Sequence, residues 1–389
     1  MFCTHLRRLP ALGLALIWMG GCAAGQKRIY TPEEIKSALD ARMSAQMRNE
    51  IVIPFEIDDE IRQLARDVTS RSTSDREKMR ALVHQIIGLA GFSISYDWLS
   101  NKTAKEVFRQ GKGNCLAYSN LFVGMAREVG LQVVYADVTS VQRVSREAEV
   151  VVNSNHITAA VIGGPETLLI DFTSTPEREY TGYEVIDDLE AIAHFYNNQG
   201  FLYGYFTETS PDLGFDPLEK ELEMYRVALE VLPTFQRARN NLGVALRRRG
   251  KLDQAIEQYK LAIEHDPRFA EARSNLGSAY MMQGRIEEAL EQYQTAAKDA
   301  GRNGFIHHRL GVTYMRLGRY DEAIKQLRKA LSMESDLAEA RYYLGECYRK
   351  LGNEKRAIRE YETALEIDPN YLAAQAKLDL LAQSDKPRD

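Results

Sequence analysis

NLGVALRRRGKLDQAIEQYKLAIEHDP, residues 241–267, is followed 34 positions later by NLGSAYMMQGRIEEALEQYQTAAKDAG, residues 275–301. The same spacing carries on to Arg309-Leu310-Gly311 and Tyr343-Leu344-Gly345. Glycine recurs at Gly250, Gly284, Gly318 and Gly352. Alanine recurs at Ala255, Ala289, Ala323 and Ala357, and again at Ala262, Ala296, Ala330 and Ala364. Between those alanines stand Tyr259, Tyr293, Leu327 and Tyr361, and Pro267 and Pro369 close the first and last units. The small positions let two antiparallel helices approach closely, and the large ones fill the groove of the neighbouring unit. A glycine ending the first helix of each pair supplies the left-handed residue that such an end requires.

This pattern is similar to the tetratricopeptide repeat (TPR), four units over 236–371, with 372–389 as a capping helix and tail. Asn197 to Gly200 echo Asn240 to Gly243 at 43 residues, while Tyr225, Ala228 and Pro233 precede Tyr259, Ala262 and Pro267 by the regular 34. A degenerate linking repeat over 186–235, lengthened between its helices, explains both offsets. The resemblance implies a protein or peptide partner held in the groove of the stack. Arg247, Arg248, Arg316, Arg349 and Lys350 lie at the ends of first helices. They read either as a cationic groove for an acidic segment or as complements to the helix dipole.

At the other end, Arg7 and Arg8 precede an apolar run from Leu9 to Met19 that closes in Gly20-Gly21-Cys22. The run is too short for a permanent membrane span and suits a secretory signal. MGGC resembles the lipobox of bacterial lipoproteins. That resemblance implies a signal peptide over 1–22, lipidation of Cys22, and, with Ala23 following, the periplasmic face of the outer membrane. The net charge of −5 gives no basic face for nucleic acid.

Residues 23–73 read as a tether with leading helices, and 74–185 as a domain of mixed α and β. Thr31-Pro32-Glu33-Glu34, Ser74 to Glu77 and Thr103 to Glu106 are helix starts. GKGNC at 111–115 is a glycine-punctuated turn that becomes a helix ending at Gly130. Strand-like runs follow at 131–138, 156–162 and 167–172. Cys115 therefore stands where a turn becomes a helix, a position that favours thiolate. His156 opens one strand and Asp171 ends the next. Two antiparallel neighbours would bring them together, giving nucleophile, base and orienting carboxylate in chain order.

At these residues the chain resembles the transglutaminase-like superfamily, of papain-like fold. The matching pieces are GNC at 113–115, the histidine of NSNHITAAV and the D-x-T of Asp171 and Thr173. The resemblance implies Cys115 as nucleophile, His156 as general base and Asp171 as the residue orienting the imidazole. Tyr96 and Gln110 are rival oxyanion donors. Thr158 stands where members often carry an aromatic residue, and Leu116 replaces the charged residue that commonly follows the cysteine. No H-E-x-x-H or paired C-x-x-C occurs, so neither metal nor cofactor is expected.

The expected architecture is an α+β papain/transglutaminase-like domain followed by an all-α TPR solenoid. Two functions fit it. One is thiol-dependent acyl transfer or hydrolysis on protein or peptide amides, and the other is a non-catalytic envelope adaptor.

Overall fold

The computed structural model describes residues 5–8, 15–19, 29–48, 50–89, 95–97, 99–140, 156–162, 167–172, 180–209, 214–299, 301 and 303–384. Among these the chain forms two compact units that part between Asn241 and Leu242. The first unit opens with β1 (His5–Arg8), β2 (Ala15–Met19), α1 (Pro32–Arg42), α2 (Ala45–Arg48), α3 (Asp59–Thr69) and α4 (Asp75–Leu89). Next come β3 (Ser95–Tyr96), α5 (Ala104–Gln110), β4 (Lys112–Gly113) and α6 (Cys115–Glu128). Then β5 (Val133–Ser140), β6 (His156–Val161), β7 (Thr167–Asp171) and β8 (Tyr180–Ile186) lead to α7 (Asp188–Thr209) and α8 (Pro217–Val231).

The antiparallel sheet has the order β1-β2-β7-β6-β5-β8. Its first two strands belong to the expected leader. An apolar run finds partners for its N–H and C=O groups along the edge of β7, where Ala15 pairs with Asp171. Cys22 lies outside the described residues. No described helix is long and apolar enough to cross a membrane. Strand β8 is absent from the sequence expectation, because YTGYEVI alternates poorly and buries only Val185 and Ile186 among its described side chains.

Every residue from Cys115 to Ala126 is buried, so α6 is the axis of this unit. It packs on β5 and β6 to one side and on α3, α4 and α5 to the other. Side chains alternate along β5. Val133 and Tyr135 join the core around α6, and Val134, Ala136 and Val138 form a second cluster with Ala160, Leu169 and Val185. At the C-terminal end of α6, Arg127 makes a two-pronged pair with buried Asp188, at 2.7 and 3.0 Å, which ties the helix to the start of α7.

Helix α9 (Gln236–Arg248) leads into the second unit. There α10 (Leu252–His265), α11 (Ala270–Met282), α12 (Ile286–Asp299), α13 (Gly304–Arg316), α14 (Tyr320–Met333), α15 (Ala338–Lys350), α16 (Glu354–Ile367) and α17 (Leu372–Ser384) form successive hairpins. The turn glycines Gly250, Gly284, Gly318 and Gly352 have φ of 78°, 74°, 73° and 75°. A Cβ on Gly243 or Gly345 would fall 2.6 Å from the ring of Tyr259 or Tyr361. The same approach recurs between α7 and α8, where a Cβ on Gly200 would fall 2.6 Å from Tyr225.

We expect Gly345→Ala to destabilise the second unit by about 1–3 kcal/mol, despite the ~1 kcal/mol that alanine gains in a helix. Urea unfolding of the full chain, followed by a probe in that unit, measures the difference. His308 gives a second test. Burial, and secondarily Arg309, pushes its imidazole from 6.5 down to about 3. Glu339 Oε2 lies 3.9 Å from Nε2 but is more than half exposed, so solvent screens it. Between those two values the unfolded chain holds a proton that the folded chain lacks, so stability falls as the pH drops through that window. Replacing His308 by Asn should shrink the stability difference between about pH 7.5 and about pH 5 by about 2 kcal/mol.

Candidate functional site

Cys115 is the first residue of α6, and Asn114 is its N-cap. Asn114 has extended backbone, with φ −83° and ψ 179°, and its side chain accepts from Ala117 N at 2.9 Å. Its own N–H donates to Ser100 O at 2.9 Å, and its Nδ2 reaches Asn101 Oδ1 at 3.4 Å. Just before it, β4 pairs in parallel with β3, with Tyr96 across from Gly113, and Asp97 N donates to Gly113 O at 3.3 Å. Segment 95–101 thus holds the backbone that leads into Cys115.

That segment is held in turn from behind. Asn101 Nδ2 donates to Phe195 O at 2.9 Å, and Gln199 Nε2 donates to Asn101 O at 2.8 Å. Within α6, buried Asn120 accepts from Tyr135 OH at 2.8 Å and reaches Lys102 O at 3.5 Å. None of Asn101, Asn120 and Gln199 was singled out from sequence. Their partners lie up to 98 residues away, and the types alone carry no signal.

His156 opens β6 opposite Val138 of β5. The β6–β7 ladder pairs Ala159 with Ile170 and Val161 with Leu168. Continued by one place, that register sets Thr158 across from Asp171 and His156 one diagonal step away. The two backbone positions are therefore neighbours, while the His156 side chain and Thr173 lie outside the described residues. Asp171 is 2% exposed. Phe172 stacks 5.8 Å from Tyr118 and 6.1 Å from Phe122 on α6, so alternation turns Asp171 to the other face of the sheet, beside Leu169 and away from the helix that carries Cys115; the described residues do not bring these two together.

Of the rival oxyanion donors, Tyr96 is described by its backbone alone. Gln110 is exposed at the end of α5, where Gly111, at φ 63°, turns the chain. His84 is exposed. His194 is packed 4.5 Å from Phe235, and burial drives its pKa well below the ordinary value. Among the five cations of the array, Arg349 is bound by Glu346 at 3.0 Å, which Lys377 and Tyr361 also contact. Arg248, Arg316 and Lys350 are exposed, and Arg247 is half-buried. The two described cysteines are both buried and free. Among the described residues no cluster of His, Cys, Asp and Glu is able to hold a metal.

Residues 62–162 match the family model of the transglutaminase-like superfamily. The chain carries a transglutaminase-like domain. The match takes in Cys115 and His156 and stops short of Asp171. Models of the tetratricopeptide repeat match residues 243–284, 268–333 and 308–371, so an array of these repeats follows the domain.

Among solved structures, MamA is similar at 25% identity over 39% of this chain and 90% of its own, with a TM-score of 0.37. YrrB, a TPR protein with an unusual peptide-binding site, is 20% identical over 48% and 91%, with a TM-score of 0.39. A thermophilic TPR protein of Thermus thermophilus is 25% identical over 47% and 97%, also with a TM-score of 0.39. The search of curated proteins finds no match.

Proposed function

We propose that the transglutaminase-like domain catalyses thiol-dependent acyl transfer or hydrolysis on protein or peptide amides, with a protein partner or substrate recruited by the repeats. The observation that carries this reading is Cys115 at the first position of a capped, buried helix, within the residues that match the transglutaminase-like model.

His156, the base that the resemblance implies, takes the Cys115 thiol proton as sulfur bonds to the carbonyl carbon. The tetrahedral oxyanion is met by the Cys115 N–H and by Tyr96 or Gln110. When the C–N bond breaks, the amine leaves with the proton held by His156, and the acyl group remains as a thioester. Water or a second amine then adds to that thioester, giving a proton to His156. The departing thiolate takes the proton back as the C–S bond breaks.

A second reading is a tethered adaptor that kept the fold without turnover. Thr158 and Leu116, at positions where family members carry other residue types, favour it. Alkylation of the full chain with iodoacetamide across pH, mapped by mass spectrometry, separates the two. Cys347 is the internal reference, because burial, and then Glu346, pushes its thiol up to about 12. The enzyme reading expects Cys115 to react faster than Cys347 and faster than a free thiol. His156→Ala should slow it about 100-fold, and Asp171→Ala less. A Cys115 as slow as Cys347 leaves the adaptor.

The leader supports an envelope lipoprotein, anchored through Cys22 on the periplasmic face of the outer membrane. Removal of residues 1–21 with the signal would take β1 and β2 away and leave β7-β6-β5-β8 as the sheet. Cys22→Ser should then release the protein from the membrane fraction on cell fractionation. Retention of that variant in the membrane sinks the lipid anchor.

A further inference from the structure

Helix α7 bonds to both ends of residue 101. Phe195 O accepts from Asn101 Nδ2 at 2.9 Å, and Gln199 Nε2 donates to Asn101 O at 2.8 Å. Asn101 is buried, and its remaining side-chain oxygen meets Asn114 Nδ2 at 3.4 Å. Asn114 is the cap on which the first turn of α6 depends, and its own oxygen is committed to Ala117 N. Between those two residues of α7, Asn197 Oδ1 accepts from Asn241 Nδ2 at 3.0 Å, on the first helix of the leading regular repeat. Hydrogen bonds thus run from α9 through α7 and Asn101 to the residue immediately before Cys115, all within the first unit.

We propose that Asn101 is a positioning residue for Cys115, through which the α7–α8 hairpin sets the orientation of the thiol-bearing turn. The proposal rests on the thiol reading above. An asparagine fits the role because one amide donates to α7 while accepting from the cap. A neutral side chain also avoids burying a charge beside the reacting sulfur. Moving α7 moves Phe195 O and Gln199 together, and the cap follows through Asn101. The hairpin carries the same glycine-on-tyrosine approach as the regular repeats, with a Cβ on Gly200 falling 2.6 Å from Tyr225.

Asn101→Ala and Gln199→Ala in the full chain test this. Gln199 is half-buried at the helix surface, which guards against a variant that fails to fold. Two readouts are needed: the pH profile of Cys115 alkylation, and amide hydrogen exchange of residues 115–118. Asn101→Ala should slow alkylation about tenfold or more, move the midpoint of the profile, and speed exchange in that turn. Gln199→Ala should act in the same direction and less. Unchanged exchange at 115–118 in both variants overturns the proposal whatever the thiol does. So does a lower melting temperature with an unaltered alkylation profile, since that is the mark of a purely structural residue. A wild-type Cys115 no faster than Cys347 overturns the catalytic reading, and the positioning role falls with it even if exchange rises.

Discussion

A helix whose first twelve residues are all buried cannot close its N-terminus with water. The first four N–H groups of α6 need partners from the protein itself, and an orphaned buried amide costs about 1–3 kcal/mol. That constraint organises the first unit. At the N-terminus it calls for Asn114 as cap, β3 and β4 to carry the chain in, and segment 95–101 to hold the cap. At the C-terminus Leu131 N donates to Ala126 O, Gly130 N to Arg127 O and Lys78 Nζ to Val129 O. The Arg127 side chain binds Val133 O and pairs with Asp188, tying the helix end to the starts of β5 and α7. Breaking such a buried pair by removing one member typically costs about 3–5 kcal/mol, because the other charge is left stranded. The position of Cys115 is thus a consequence of how α6 is sealed, not of any local feature of the cysteine.

The repeat array was legible because one local requirement recurs. Each glycine at the centre of a first helix is demanded by a ring, or by Leu327, lying against it, and each turn glycine by a positive φ. Such requirements leave a mark at a fixed spacing even where the surrounding surface residues diverge. The capping boxes at Thr31 and Thr103 were legible for the same reason, since donor and acceptor lie three residues apart and both hydrogen bonds form. Gly200 and Tyr225 obey the same rule across a turn nine residues longer than that between Gly243 and Tyr259.

What escaped the sequence is non-local. The Asn101 bond to Phe195 spans 94 residues, and nothing near Asn101 announces it. Strand β8 escaped because Gly182 and a half-exposed Tyr183 blur its alternation, yet β5 offers it a ladder from Tyr135 to Ser140, with one register shift at Thr139/Ser140. In the candidate site, the turn-to-helix position of Cys115 was legible from GKGNC. The neighbouring registers of His156 and Asp171 followed from two short strands joined by a glycine-rich turn. The face on which Asp171 stands was not legible. It is decided by Phe172, whose ring stacks on Tyr118 and so commits the preceding residue to the opposite side.

The two described thiols make the logic of the site concrete. Both are buried, so burial alone does not distinguish a nucleophile from a packing residue. Cys347 sits within α15, where its counterparts in the other repeats are Ala245, Ala279 and Thr313, and only apolar volume is asked of it. There desolvation disfavours the thiolate, and neighbouring Glu346 opposes it further, so the proton stays on sulfur. Cys115 sits at a helix start, where amides not engaged within the helix point outward. A residue at the start of a sealed helix stands next to the cap, and the hydrogen bonds of Asn114 fix the backbone from which the Cys115 side chain springs.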